Sequence, residues 1–391
     1  LNTSFSPWPS FTEEEAEAVH EVVLSNKVNY WTGQECREFE KEFASWSGTD
    51  YAIALTNGTV ALDLALHALR IGPGDEVIVT PRTFLASVSS IVNAGAVPVF
   101  AEVDHDTQNI TADTIRAVLT SRTRAVICVH LAGWPCDMDP IMALASEHQL
   151  KVIEDCAQAH GATYKGRPVG SIGHVGAWSF CQDKIMSTGG EGGMVTTNDR
   201  ELWADMWAFK DHGKSWEAVY QREHAPGFRW LHESFGTNWR MLEVQGAIGR
   251  IQLRRMPQWH ATRIANATAI WSCAQEITGL RVPSPAEGTT HAAYKCYVFV
   301  QPELLSAGWS RDRIINEISA RGVPCYSGSC SEVYLEKAFD GTGWRPQERL
   351  PVAQELGETS LMFLVHPTLT EEEIHRTCQT LRDVMSLAVN I

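Results

Sequence analysis

Gly176-Ala-Trp-Ser-Phe-Cys-Gln-Asp-Lys184, followed by Gly189-Gly-Glu-Gly-Gly193, decides how this chain reads. Val175 to Phe180 is a short apolar run of strand type, and Lys184 stands just beyond its end among glycines and small polar residues. Open α/β sheets bind their ligands outside the carboxyl ends of the strands. Lysine is also the side chain that forms a Schiff base with an aldehyde. Alone, Lys184 reads as a solvated loop charge, which is what a loop lysine usually is. Upstream, Leu150-Lys-Val-Ile-Glu-Asp155-Cys-Ala-Gln158-Ala-His160-Gly161 reads as a second strand, and this one ends in a carboxylate.

Outward from these two segments, apolar runs alternate with helical patterns. Strands are expected at Tyr51–Leu55, Glu76–Thr80, Val97–Val103, Ala125–His130, Lys151–Glu154, Val175–Phe180 and Met194–Thr197. Helices are expected at 13–24, Cys36–Trp46, Thr59–Arg70, Leu85–Ala94, Ala112–Thr120 and Asp139–Gln149. Seven apolar runs separated by helices of ordinary length predict an α/β fold, a mostly parallel seven-stranded sheet with helices on both faces. A long helical stretch from Met241 to Trp271, broken by Pro283 and Pro285, leads to a smaller C-terminal α+β domain. There a strand is expected at Tyr294–Val300, with helices at Arg311–Arg321 and Glu371–Leu387. The expected division is residues 1–250 for a large cofactor-binding domain and 251–391 for a small one.

Bulk composition narrows the function classes. The 391 residues are 44% hydrophobic and 20% charged, an ordinary globular balance with room for a substantial core. No apolar run approaches the roughly 18 residues of a membrane span, and the first residues lack the pattern of a secretory signal. A formal charge of −15 argues against nucleic acid as a partner. It also requires any anionic substrate to meet a local cluster of cations. Most of the ten cysteines sit singly in apolar strands; Cys325 and Cys330 form one close pair, with no second pair to complete a zinc site. Reduced thiols and a cytoplasmic location are expected.

Three candidate elements fit one cofactor. Pyridoxal 5'-phosphate requires a lysine for its aldehyde, an acid for its ring nitrogen and a cradle for its phosphate. Lys184 is the candidate lysine and Asp155 the candidate acid. Thr56-Asn57-Gly58-Thr59 joins the first strand to its helix, where glycine and the helix dipole favour an anion. The same tetrapeptide is also an ordinary capping turn. Ser179 is placed to donate to a phosphate, and Phe84 to stack on a ring, although a strand serine and a core aromatic look alike in sequence. Neither Gly-x-Gly-x-x-Gly nor Gly-x-x-x-x-Gly-Lys-Ser/Thr occurs in this region, so nicotinamide and nucleoside triphosphate readings lose their usual support.

Taken together, Asn57-Gly-Thr59, Thr83-Phe84, Asp155-Cys-Ala-Gln158-Ala-His160-Gly161, Ser179-Phe-Cys-Gln-Asp-Lys184 and Gly190-Glu-Gly-Gly193 resemble the DegT-type sugar-nucleotide aminotransferases, fold-type I pyridoxal-phosphate enzymes. Thr32-Gly33, Glu38-Phe-Glu40, Asp211-His-Gly213 and Gly236-Thr-Asn238-Trp-Arg240 extend the likeness. The resemblance implies that Lys184 carries the Schiff base and shuttles the proton. It implies that Asp155 holds the pyridine nitrogen, Gln158 lies near the ring hydroxyl and Phe84 stacks on the ring. Gly58, Thr59 and Ser179 then bind the phosphate. Asn238 matches a position that reaches the neighbouring subunit's cofactor, which implies a homodimer with shared active sites. A branch of the group with histidine for the lysine dehydrates sugars; lysine here favours amino transfer. Gln182-Asp183 before the lysine, and the segment Trp216 to Trp230 with Arg222, His224 and Arg229, depart from the commoner pattern.

The expected reaction moves the amino group of L-glutamate onto a nucleotide-linked 3- or 4-keto sugar. Arg240 and Lys214 are candidate cations for the diphosphate. A keto-cyclitol as acceptor, a pyridoxal-phosphate-dependent sugar dehydratase and a non-enzymatic regulator on the same fold are the alternatives. The last usually carries a preceding DNA-binding domain, whereas here the pattern begins within a few residues of the start.

Overall fold

The computed structural model describes residues 5–284 and 287–389. Two helices, α1 (Glu13–Leu24) and α2 (Glu35–Ser47), precede β1 (Tyr51–Leu55), α3 (Gly58–Ala68), β2 (Glu76–Val79), α4 (Ala86–Asn93) and β3 (Val97–Phe100). Next come α5 (Ala112–Arg116), β4 (Thr123–Val129), α6 (Met138–Glu147), β5 (Lys151–Asp155) and a short hairpin, β6 (Thr163–Tyr164) with β7 (Arg167–Pro168). The strand β8 (Val175–Ser179) then precedes β9 (Gly193–Thr197), α7 (Arg200–Phe209) and α8 (Trp216–Tyr220). Each of the seven expected strands is present, while α5 stops at Arg116 rather than Thr120.

These seven strands form one sheet in the order β1-β9-β8-β5-β4-β2-β3. The pairs β3/β2, β2/β4, β4/β5 and β5/β8 are parallel, whereas β9 runs antiparallel to both β8 and β1. Parallel neighbours need a crossover, but β8 returns into β9 through residues 180–192 without a helix, so that connection reverses direction. Lys184 therefore lies on a loop at the carboxyl edge of the sheet, beside the end of β5.

Side chains along the central strands divide strictly by parity. Val77, Val79, Ala125, Ile127 and Ile153 join one core with Leu62 and Leu66 of α3. Ile78, Val126, Cys128 and Val152 join another with Ile141 and Leu144 of α6. Period-two alternation with apolar residues on both faces explains why these strands read as unbroken apolar runs.

From Glu243 to Gln275 a single helix, α9, runs through both halves of the molecule. Its first part places Leu253 and Met256 in the sheet core, and its second part places Ala267, Ile270 and Ala274 in a separate C-terminal core. The 250/251 boundary expected from sequence falls inside this helix. It ends at Gln275, ahead of Pro283; Pro285 and residues 1–4 lie outside the described residues. Beyond it follow β10 (Leu280–Arg281), β11 (Thr289–Thr290), β12 (Cys296–Val300), α10 (Arg311–Ala320), β13 (Cys325–Tyr326), α11 (Pro351–Thr359), β14 (Ser360–Phe363) and α12 (Glu371–Ala388). An antiparallel sheet β10-β12-β14-β13 packs with α9, α10 and α12 around this second core, and β11 adds to the β6/β7 hairpin.

The amino-terminal segment fastens onto this region. Phe5 is buried in the C-terminal core, and Ser6 donates to Glu373 through its N–H at 2.6 Å and its hydroxyl at 3.0 Å. Trp8 Nε1 then donates to the Lys184 carbonyl at 2.8 Å, so the strap ties the C-terminal region to the lysine loop.

Contact between α9 and α2 is close because α9 carries glycine where they meet. A Cβ at Gly246 would stand 2.8 Å from the Cys36 backbone nitrogen, and one at Gly249 would stand 2.6 Å from Phe39. Glycine-to-alanine in an exposed helix stabilises by up to about 1 kcal/mol. At Gly246 the obstacle is backbone, so overpacking wins, and Gly246→Ala is expected to lower stability by about 1–3 kcal/mol in urea unfolding.

Candidate functional site

The site lies where β5, β8 and the first turn of α3 end side by side. Asp155, the last residue of β5, is 6% exposed. Ser87 Oγ donates to its Oδ2 at 2.8 Å and the Ala157 N–H to its Oδ1 at 3.1 Å. Burial pushes this carboxyl above its ordinary value; the two hydrogen bonds and the nearby Lys184 only partly offset it. A buried carboxylate in that state favours a cationic partner.

Lys184 is 17% exposed at its side chain and points among polar neighbours. Its Nζ lies 3.6 Å from Asp183 Oδ1 and 5.3 Å from the ring centre of Tyr294. The Tyr294 hydroxyl donates to the other Asp183 oxygen at 2.5 Å. Burial would raise the Asp183 carboxyl, but Lys184 and Tyr294 outweigh it and hold it below its usual range. Thus the unusual acid before the lysine is an ion-pair partner of that lysine, fixed in turn by a tyrosine that the motif reading did not single out.

Gly58 opens α3, capped by Asn57 Oδ1, which accepts from the Val60 N–H at 3.0 Å. A Cβ at Gly58 would lie 2.6 Å from the Ser179 Cβ, so only glycine lets the helix start approach the end of β8 this closely. Thr59 follows, half-buried, and Ser179 is buried with its Oγ accepting from the Cys181 N–H at 3.3 Å. Gln158 is buried and its Oε1 accepts from the Ala132 N–H at 2.8 Å, which fixes the amide beside the carboxyl end of β5. Phe84, in the loop after β2, is 71% exposed and presents its ring to the open side. His160 is buried against Trp178 and Phe180; burial, with Lys184 and Arg263 nearby, pushes its imidazole down to about 3 and keeps it neutral.

Other sequence candidates lie apart from this cluster. Asn238 is exposed and bridges by its backbone to Asp211. Arg240 and Lys214 both pair with Asp211 Oδ1, at 2.7 and 3.3 Å, so the two cations share one carboxylate within the chain. In the segment after α8, Arg222 pairs with Glu233 at 2.6 Å and His224 Nε2 contacts the Ala218 carbonyl at 2.6 Å, while Phe228, Trp230 and Phe235 are highly exposed. All ten cysteines are free thiols, Cys330 the exposed one. No helix among the described residues is long and apolar enough to cross a membrane.

His130, Glu154 and Cys156 come close enough together for a metal, yet hydrogen bonding accounts for His130 and Glu154. The Cys136 N–H donates to His130 Nδ1 at 3.0 Å, which leaves Nε2–H to donate to Glu154 at 3.0 Å. Glu154 also accepts from the N–H groups of Gly170, Ile172 and Gly173. This network fixes the peptide behind Asp155.

Set against known proteins, the architecture and this arrangement define a pyridoxal-phosphate-dependent aminotransferase. Residues 9–382 match the DegT/DnrJ/EryC1/StrS aminotransferase family, and the chain belongs to it. An aminotransferase from Psychrobacter cryohalolentis, solved by X-ray crystallography, is 67% identical over 98% of this chain and 99% of its own, with a TM-score of 0.96. DesV of S. venezuelae, solved with a ketimine intermediate, is 33% identical, covers 95% and 94% of the two chains and has a TM-score of 0.85. GDP-perosamine synthase of Caulobacter vibrioides is 38% identical over 89% of each chain. The cofactor is pyridoxal phosphate, and the enzyme is a sugar aminotransferase.

Burial alone would raise the Glu154 carboxyl, but His130 and the N–H groups of Gly173 and Gly170 hold it below its ordinary value. Because the folded-state pKa is depressed, this stabilisation is full above the ordinary carboxylate pKa and is lost as pH falls through the folded value. Glu154→Ala, which leaves three buried N–H groups unpaired, is expected to cost about 3 kcal/mol at pH 7. Urea unfolding at pH 7 and below pH 4 should show that difference shrinking in acid.

Proposed function

We propose that this chain transfers the amino group of L-glutamate to a nucleotide-linked keto sugar, forming an amino sugar. The observation that carries the reading is the convergence of Lys184, Asp155 and the Gly58–Ser179 contact at one edge of the sheet. The names of the relatives give the acceptor class.

Pyridoxal phosphate supplies an aldehyde for amine exchange and a ring that draws electrons from the reacting carbon. Gly58, Thr59 and Ser179 hold its phosphate at the start of α3. Asp155, oriented by Ser87, keeps its ring nitrogen protonated, and the cation in turn satisfies a carboxylate that burial disfavours. Gln158 would lie near the ring hydroxyl and Phe84 would stack on the ring. Lys184 Nζ would hold the cofactor covalently and, when free as an amine, would carry the proton between the donor's α-carbon and the cofactor's C4′. Asp183 Oδ1 lies 3.6 Å from that nitrogen and orients it.

A homodimer follows from Asn238 acting on the neighbouring subunit's cofactor. The exposed Phe228, Trp230 and Phe235 near it supply the apolar surface a subunit contact requires. Sedimentation equilibrium is expected to give twice the chain mass, and Phe235→Asp to shift it towards the monomer.

The purified protein with pyridoxal phosphate is expected to show the visible absorption of lysine-bound cofactor, and Lys184→Ala to lack it. L-Glutamate should bleach the band and a keto sugar nucleotide should restore it. Asp155→Asn is expected to weaken cofactor affinity at least ten-fold. A band restored by scyllo-inosose but by no sugar nucleotide would transfer the assignment to a keto-cyclitol acceptor. A band that glutamate leaves untouched would favour dehydration.

A further inference from the structure

Two free thiols meet where the long helix lies against the last one. Cys273 stands near the end of α9 and Cys378 in α12, both in the C-terminal core. Cys273 Sγ donates to the Cys378 carbonyl oxygen at 3.5 Å. Cys378 Sγ donates to the carbonyl oxygen of Ala269, one turn before Cys273, at 3.7 Å. Each sulfur thus reaches the backbone of the opposite helix within a turn of the other cysteine, and the two side chains interact directly.

Both cysteines line an open groove of about 770 Å³ between α9 and α12, together with Glu276, His375 and Arg382. They are 4% and 7% exposed, whereas the nearby Cys296 is 0% exposed and forms no part of the groove wall. Cys128 and Cys136 also interact, but both are 0% exposed within the sheet domain. A small solute in the groove therefore meets Cys273 and Cys378 and none of those three. The protonation of the two thiols also differs. The bond with Cys378 and the charge of Arg382 bring the Cys273 thiol down to about 7, against burial and Glu276. The same bond and burial push Cys378 up. A thiolate beside a protonated thiol is the arrangement of an attacking and a resolving cysteine.

We propose that Cys273 and Cys378 are a redox modification site, at which a hydroperoxide oxidises Cys273 and Cys378 then closes a disulfide that fastens α12 to α9. The Cys273 thiolate attacks one peroxide oxygen, the O–O bond breaks, and the other oxygen leaves as an alcohol or water after taking a proton. Cys378 then attacks the sulfenic sulfur; the S–S bond forms, the S–O bond breaks, and the Cys378 proton leaves with the hydroxide as water. Two thiols lose two electrons between them, and the peroxide is the group reduced. The site lies away from Lys184 and needs neither cofactor nor sugar. Its bridge closes a loop over residues 274–377, which restricts the unfolded chain. It also anchors the helix whose Glu373 holds the amino-terminal strap at Ser6.

The test treats holoenzyme with hydrogen peroxide at pH 7, blocks the remaining thiols and maps the peptides without reduction. The expected product joins the Cys273 and Cys378 peptides, is lighter by the two thiol hydrogens and is split by dithiothreitol. The oxidised wild type is expected to melt at least about 3 °C above the reduced protein, and dithiothreitol to reverse the shift. Cys378→Ser should lose the cross-link and the shift and accumulate sulfinic acid at Cys273. Cys330→Ser, which removes the exposed thiol, should keep both. Cys273 and Cys378 still reduced once Cys330 is fully oxidised would overturn the proposal. So would a bridge from either to Cys296, or a Cys273–Cys378 bridge that leaves the melting temperature unchanged. If Cys378→Ser does not fold, the wild-type map and melting curve decide by themselves.

Discussion

Asp155 is a carboxylate that the fold removes from water and does not fully compensate. Two hydrogen bonds, from Ser87 and Ala157, orient it, yet its ionised form is disfavoured until a cation arrives. The surrounding architecture keeps it there. Glu154, one residue earlier on the opposite face of β5, is bonded to His130 and three backbone N–H groups, which immobilises the strand end. Because β5 and β8 are parallel, their carboxyl ends come out at the same edge, and the helix-free return into β9 puts Lys184 over that edge. The acid and the lysine thus stand at the same edge of the sheet, where a cation would relieve the acid.

Much of this was legible in the sequence because the large sheet is built from long apolar runs. Val77 to Val79 and Val126 to Val129 are apolar on both faces, a pattern that survives uncertainty about ends. The C-terminal sheet was harder. β10 and β13 are two residues each, too short for any periodicity, and β14 begins at Ser360 directly after α11 ends at Thr359, with no connecting loop. α7 carries its signal in Asp199, whose side chain caps Glu201 and Leu202, but the alternation of strand and helix does not ask for a helix after β9. Lys184, Asp155, Gly58 and Ser179 stand in contiguous motifs, so their convergence could be expected from sequence. Tyr294 comes from a separate element and could not be paired with Lys184 by spacing.

Within α9 the apolar register carries an exception. Met256, Arg263, Ala267, Ile270 and Ala274 recur at helical spacing and all are buried. An arginine on the apolar register of a long helix is a conflict between local pattern and burial. By contrast, Arg240 and Lys214 come from a polar segment and share the Asp211 carboxylate.

Net charge sharpens this point. With 47 acids against 32 bases, the surface field repels an anion, and at physiological salt that field decays within about 8 Å. Recognition of an anionic substrate therefore falls to local cations. The strap links the elements around the lysine: Trp8 lies over Arg263, stacks with His366 and bonds the Lys184 carbonyl, while Ser6 is tied to Glu373 of α12. One short segment thus couples the lysine loop, the long helix and the C-terminal domain. Loosening it would release the lysine backbone and the first turn of α12 together, so the placement of the reactive amine and the seating of the C-terminal domain are set by the same few contacts.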